Sequence, residues 1–131
     1  MGGELPDQPY AKMYCFSHHQ QKMKAWIEQL EELKQQEAFT TSSSSHHNVE
    51  VMVNGVNKAT GVAALLKYYQ INPEEVMAIG DSNNDLPMMA YVGYPVAMKN
   101  ATDEMKDMTK QQTSFTNDEE GVYHFLHDYF A

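Results

Sequence analysis

The stretch that decides the fold is Ile79-Gly80-Asp81-Ser82-Asn83-Asn84-Asp85-Leu86-Pro87-Met88-Met89. The apolar run that leads into it, residues 76–79, predicts a buried strand. Gly80 permits a sharp exit, so Asp81 and Asp85 fall in the loop at the carboxyl end of that strand. Open α/β sheets bind ligands at this end, and carboxylate oxygens suit a hard cation. An acidic turn that only caps the next helix is the alternative, since Asp and Asn favour such positions by themselves.

Composition and charge limit the classes of partner. The chain has 131 residues, the size of one ordinary domain, and a formal net charge of -9. This acidic balance argues against a nucleic-acid backbone or an anionic membrane surface as partner. No apolar run approaches the ~20 residues that span a bilayer. The single cysteine, Cys15, excludes an internal disulfide and suits a reducing compartment, so we expect a cytoplasmic protein.

The amino-terminal part of the chain predicts a β-α-β-β arrangement, a small sheet with a helix on one face. Strands are expected at residues 10–16, 38–41 and 49–53, and a helix at residues 18–36. Apolar side chains recur at three- and four-residue steps in that helix, at Met23, Trp26, Ile27, Leu30 and Leu33. Residues 1–8 predict a loose start, and the serine-rich residues 40–45 indicate a turn.

From Gly55 onward, helices and strands alternate with short links, which predicts a mostly parallel sheet covered by helices. Helices are expected at residues 58–70, 86–92, 102–109 and 118–130. Strands are expected at residues 76–79 and 94–98, with a third, weak strand at residues 112–115. The apolar side chains of the last helix are expected to face inward, at Val122, Phe125, Leu126 and Tyr129.

Four motifs follow one another in this part of the chain. They are Gly55-Val56-Asn57-Lys58-Ala59, Gly80-Asp81-Ser82-Asn83-Asn84-Asp85-Leu86-Pro87-Met88-Met89, Val96-Ala97-Met98-Lys99-Asn100-Ala101 and Asn117-Asp118-Glu119-Glu120-Gly121-Val122. In this order they resemble the Cof-type branch of the haloacid dehalogenase-like (HAD) phosphatases. The resemblance implies an α/β fold in which residues 51–131 form a partial HAD-type Rossmann-like core, three layers around a mostly parallel sheet. Residues 1–50 resemble the remnant of the family's α/β cap domain.

The resemblance also implies a reaction, the Mg²⁺-dependent hydrolysis of phosphomonoesters through a phosphoaspartyl intermediate, with the sugar-phosphate class as the expected substrates. It assigns Lys58 to neutralising the phosphoryl group and the nucleophile, and Asn84 to contacting the substrate phosphate. It makes Asp81 a direct Mg²⁺ ligand and has Asp85 orient Lys58 or join the metal shell. This division is physically reasonable because phosphoryl transfer depends mostly on positioning and charge stabilisation. A solvated lysine at a helix start is the alternative for Lys58.

One part of the family pattern is missing. The chain contains no Asp-x-Asp pair, the motif that holds the family's nucleophile and general acid, and its only early aspartate is Asp7. The sequence therefore resembles the C-terminal half of a phosphatase, and we expect this polypeptide by itself to have no phosphatase activity. The family's first strand would lie beside residues 76–79. We therefore expect an unpaired sheet edge there, a homo-oligomer formed through that edge, and weak Mg²⁺ binding.

Two other interpretations stay open. A P-type ATPase fragment carries a similar Gly-Asp-x-x-Asn-Asp sequence, but no membrane span is predicted here. A non-catalytic phosphate- or metal-binding module keeps the fold and one corner of the site, and the missing nucleophile favours it for this chain. The pairs His18-His19 and His46-His47 are interpreted as surface residues, because a Zn²⁺ site needs a fixed tetrahedral set of ligands.

Overall fold

The structure is a computed structural model that describes residues 8–43 and 45–131. The loose start predicted for residues 1–8 therefore lies almost wholly outside the described residues, as do Asp7 and, in the serine-rich turn, Ser44. The chain divides into two compact units, of which the first ends at Asn54 and the second runs from Gly55 to Ala131. No helix within the described ranges combines the length and apolar character needed to cross a bilayer.

The first unit has the predicted β-α-β-β order. Its elements are β1 (Lys12–Phe16), α1 (Gln20–Leu33), β2 (Phe39–Ser42) and β3 (Asn48–Val53). Strand β3 lies between β1 and β2 and pairs antiparallel with both. Of the apolar positions on α1, Met23 is buried, whereas Trp26 and Leu33 are exposed. The unit ends after Asn54 because β3 continues to Val53, so the predicted division after residue 50 would cut this strand.

The second unit alternates helices and strands, as the sequence predicts. Its elements are α2 (Lys58–Tyr69), β4 (Met77–Gly80), α3 (Leu86–Tyr91), β5 (Tyr94–Ala97), α4 (Asp103–Met108), β6 (Gln111–Gln112) and α5 (Gly121–Phe130). The three strands form a parallel sheet in the order β4-β5-β6, which confirms the predicted α/β class. Within the described part of the chain, β4 is therefore an edge strand.

The core of the second unit holds the carboxyl ends of β4 and β5 in place. Its buried side chains come from these strands and from the helices and turns that follow them, at Ala78, Met89, Val92, Ala97, Met98, Ala101 and Met105. The three methionines suit this role because a flexible, unbranched thioether fills irregular gaps. Strand β4 thus emerges from a packed core directly into the loop that begins at Asp81.

Two predictions for the end of the chain are corrected. The third strand is shorter than expected, Gln111–Gln112 in place of residues 112–115. At Thr113 the backbone N–H still donates to the Ala97 carbonyl at 2.9 Å, and the hydroxyl donates to the Phe115 carbonyl at 2.6 Å as the chain turns away. Helix α5 is less buried than expected, since Val122 and Tyr129 are exposed. A sheet of three strands, one of them only two residues long, offers little surface for this helix to cover.

Candidate functional site

The loop after β4 carries three of the four predicted site residues and folds back on itself. Residues Asn83–Asp85 form a 3₁₀ turn that returns Asp85 to the end of the strand. A Cβ added to Gly80 would lie 2.8 Å from the Asp85 Cβ, so only glycine allows this approach. The turn therefore depends on the glycine that the sequence places between strand and loop.

Asp85 is the buried centre of the loop, with 6% of its side chain exposed. Its Oδ2 accepts from the backbone N–H groups of Asp81, at 3.2 Å, and Ser82, at 3.5 Å. Its Oδ1 forms an ion pair and hydrogen bond with Lys58 Nζ. Both carboxylate oxygens thus have partners within the protein. Asp85 therefore contacts Lys58 directly, as expected of a residue that orients this lysine.

Lys58 reaches this loop from the first turn of α2, whose start is fixed by a reciprocal capping box. The Asn57 side chain accepts from Thr60 N–H at 3.0 Å, and the Thr60 hydroxyl accepts from Asn57 N–H at 3.0 Å. The Lys58 side chain is 49% exposed, so its ammonium can meet a ligand while Asp85 holds it. The sequence signal for this box, Asn57 followed three residues later by Thr60, lies outside the apolar pattern that predicts the helix.

Asp81 and Asn84 present polar groups beside this ion pair. The Asp81 side chain is exposed, and its carboxylate has no hydrogen bond or ion pair with any residue that the structure describes. Asn84 is half-buried, and its Oδ1 accepts from the Ser82 hydroxyl at 2.7 Å. Its Nδ2 group is left as the donor for a ligand. The loop and Lys58 together therefore offer one open carboxylate, one amide donor and one ammonium.

The oxygen ligands that the loop offers suit Mg²⁺ in chemical type, but they are few. Mg²⁺ is commonly held by one or two carboxylates together with waters and substrate phosphates. Asp81 fits this pattern as a hard oxygen ligand exposed at the edge of the loop. Across residues 8–43 and 45–131, no cluster of three or more His, Cys, Asp or Glu side chains is arranged to bind a metal ion. A cation at Asp81 would therefore need ligands that these residues do not supply.

The third and fourth sequence motifs meet in the second unit. The Asn100 carboxamide accepts from Asn117 N–H at 3.1 Å, and Lys99 Nζ lies 3.8 Å from Glu119 Oε2. The backbone N–H of Thr116 and, with a smaller effect, its hydroxyl donate to the Glu119 carboxylate and hold the pKa of Glu119 below its ordinary range. The positive charge of Lys99 lowers this pKa further, by a smaller amount. These contacts join the segment after β5 to the segment before α5.

A family model for haloacid dehalogenase-like hydrolases matches residues 3–126. The chain belongs to this family. The match covers both units and confirms the resemblance that the four motifs indicate.

Individual HAD relatives agree with the family match. Over 115 residues, 88% of this chain, the sequence is 36% identical to "5-amino-6-(5-phospho-D-ribitylamino)uracil phosphatase YwtE" of Bacillus subtilis. A solved haloacid dehalogenase-like hydrolase from Bacillus subtilis superposes on 92% of the chain with a TM-score of 0.79 and 33% identity. A HAD/COF-like hydrolase from Plasmodium vivax superposes on 92% with a TM-score of 0.82 and 29% identity. The chain spans 39% of the first relative's length and 42% of each solved chain.

Proposed function

We propose that this HAD-like chain carries the cation-binding half of a Mg²⁺-dependent phosphomonoester hydrolase. The observation that carries the proposal is the Lys58–Asp85 ion pair at the carboxyl end of β4, beside the open carboxylate of Asp81. A chain with a net charge of -9 repels a phosphate monoester overall. A local ammonium and a bound cation would offset that repulsion where the substrate phosphate must lie.

Each residue of the loop has a distinct task in this proposal. Asp85 holds Lys58, and the Lys58 ammonium acts as a point charge on a phosphoryl oxygen. Asn84 donates from Nδ2 to the phosphate while Ser82 holds its other end. Asp81 binds Mg²⁺, which when bound neutralises charge on the phosphoryl oxygens. Asp85 is assigned to Lys58 alone, because its two oxygens already have partners.

The proposed substrates are phosphorylated small molecules of the sugar-phosphate class. The Bacillus subtilis relative YwtE is named as a phosphatase of 5-amino-6-(5-phospho-D-ribitylamino)uracil, a compound with a phosphorylated sugar-alcohol chain. The shared loop contacts only the phosphate in our proposal, so it does not distinguish one such compound from another.

Phosphate binding tests the role of Lys58. In an NMR titration with inorganic phosphate and Mg²⁺, we expect shifts at the Asn84 side-chain amide and the Asp81 backbone amide. Lys58→Met should weaken binding by about tenfold, the effect of losing one charge-assisted contact of about 1.4 kcal/mol. Lys67→Met is the matched control, since Lys67 lies in the last turn of the same helix and is exposed. Equal weakening by both variants would mean that net charge, and no particular site, attracts phosphate.

The same samples should show no turnover of p-nitrophenyl phosphate or of the ribitylamino compound, because the chain has no Asp-x-Asp nucleophile. Turnover that requires Mg²⁺ and is abolished by Asp81→Ala would contradict this expectation. Binding without turnover agrees equally with a non-catalytic phosphate-binding module. Upstream coding sequence separates the two functions, since an in-frame strand ending in Asp-x-Asp-Gly-Thr would supply the nucleophile.

We also propose that the 131-residue polypeptide forms a homo-oligomer through β4. Among the described residues this strand pairs only with β5. Alternate residues face that partner, since the Val76 carbonyl accepts from Tyr94 N–H at 3.0 Å and the Gly80 carbonyl accepts from Met98 N–H at 2.9 Å. The backbone groups of Met77 and Ile79 therefore point to the open edge. Light scattering at tens of micromolar should show an oligomer, and Ile79→Pro should shift it toward monomer by removing one edge donor. A monomeric wild-type chain would contradict the proposal.

A further inference from the structure

The loop after β4 is tied to the start of α4 by a set of side chains outside the four predicted site residues. The Asn83 Oδ1 accepts from the Thr102 hydroxyl at 3.0 Å, and the Asn83 Nδ2 donates to Glu104 Oε2 at 3.1 Å. We call these three residues the Asn83 latch. In addition, the Thr102 N–H donates to the Asp81 carbonyl at 3.0 Å. The latch thus fastens the segment after β5 onto the backbone of the open carboxylate residue.

The latch acts on Asp81, the loop residue whose side chain has no hydrogen bond or ion pair with any residue that the structure describes. The peptide group before Asp81 is held because its N–H donates to Asp85, and the peptide group after it is held by Thr102. The carboxylate of Asp81 projects from a backbone that is fixed on both sides. These backbone contacts fix the position of the Asp81 Cα, the point from which its carboxylate extends toward a cation.

Asparagine is the residue type that this position needs. A carboxamide accepts from the Thr102 hydroxyl with its oxygen and donates to the Glu104 carboxylate with its nitrogen at the same time. An aspartate at this position would repel Glu104, and an alanine would lose both bonds. The three latch side chains are exposed, so their bonds contribute little to folding stability. Geometry at Asp81 is the property they can change most.

We propose that the Asn83 latch positions Asp81 and thereby sets the Mg²⁺ affinity of the loop. Asn83, Thr102 and Glu104 are positioning residues, because they act on the cation through Asp81. This inference rests on the proposed function, in which Asp81 is the Mg²⁺ ligand. It adds residues from the start of α4 to a site that the sequence motifs placed wholly in the loop and at Lys58.

The test is a titration of the 131-residue chain with MgCl₂, followed at the Asp81 and Ser82 backbone amides by NMR. Asn83→Ala should raise the Mg²⁺ dissociation constant by up to about tenfold, the low end of the effect of losing a direct partner of a metal ligand, because Asn83 acts on Asp81 only through Thr102. Amide hydrogen exchange at Thr102 should also become faster. Asn117→Ala is the matched control, because Asn117 is an exposed asparagine whose Nδ2 bonds to Asp118 at 3.1 Å, outside the loop.

Two substitutions at Thr102 test the hydroxyl of the latch, and their comparison with Asn83→Ala separates positioning from capping. Thr102 also caps α4, where its hydroxyl accepts from Met105 N–H at 3.4 Å. Thr102→Ser keeps the hydroxyl and should bind Mg²⁺ with wild-type affinity. Thr102→Val removes the hydroxyl and should raise the Mg²⁺ dissociation constant by as much as Asn83→Ala does. Asn83→Ala leaves the cap intact, so its melting temperature should stay close to that of the wild type.

The outcomes distinguish the two proposals. Asp81→Asn should remove the Mg²⁺-dependent shifts. If Asp81→Asn binds Mg²⁺ as well as the wild type, or the wild type shows no shifts, the proposed function fails and the latch proposal with it. If Asp81→Asn removes binding while Asn83→Ala and Thr102→Val leave the dissociation constant unchanged, only the latch proposal is overturned.

Discussion

The Met105→Ala variant should have a free energy of unfolding about 2–5 kcal/mol lower than the wild type, the usual cost of removing a large buried side chain. Met105 is 0% exposed and packs with Met89, Val92 and Met98 in the core that holds the ends of β4 and β5. Truncation removes apolar contacts and leaves a cavity that the surrounding side chains fill only partly. Urea unfolding followed by circular dichroism measures the difference.

Met108→Ala is the matched control for this experiment. Met108 lies on the same short helix, α4, and is 39% exposed. Its truncation removes little buried area, so the loss should stay below about 1 kcal/mol. A similar loss in both variants would show that α4 contributes to stability through its backbone, and that its buried face is unimportant.

The Asp85→Ala variant should lose both stability and phosphate binding. Removing the carboxylate leaves the backbone N–H groups of Asp81 and Ser82 without their acceptor. This loss should lower the free energy of unfolding by about 1–3 kcal/mol, the usual cost of an unsatisfied buried donor. Lys58 loses the contact that orients it, so phosphate affinity should fall by about tenfold, the effect of about 1.4 kcal/mol. Urea unfolding and the phosphate titration measure the two losses separately.

Asp85→Asn separates these two effects. The carboxamide oxygen can still accept from the loop amides, so most of the stability should return, but it cannot form an ion pair with Lys58. Phosphate affinity should therefore remain low. Asp107→Ala, at an exposed aspartate on α4, controls for the change in net charge and should alter neither property. If Asp85→Asn restores phosphate binding, the ion pair with Lys58 is not needed for it.

Local sequence patterns were sufficient to predict most of the helices and strands. Apolar steps of three and four residues predicted α1 and α2, and short apolar runs predicted β4 and β5. The predictions failed where tertiary contacts decided the outcome. The inward face predicted for α5 was wrong at Val122 and Tyr129, because burial depends on how much sheet is present to cover.

The loop from Gly80 to Asp85 shows the same division. Its residue types predict a turn with oxygen ligands at the end of a strand. Together with the three other motifs, it indicates the family, which the match over residues 3–126 confirms. Two of its features could not be predicted from the loop sequence. Asp85 is buried and bonded through both oxygens, and Asn83 is tied to residues that follow β5.

The sequence by itself determined the order of elements, the family and the residues of the candidate site. Only the tertiary structure decided which carboxylate stays open. Asp81 and Asp85 are chemically identical and four positions apart, so their own chemistry does not rank one above the other, and only the family resemblance gave them different roles. Packing does so, because the turn at Gly80 buries Asp85 against Lys58 and the loop amides while Asp81 remains exposed.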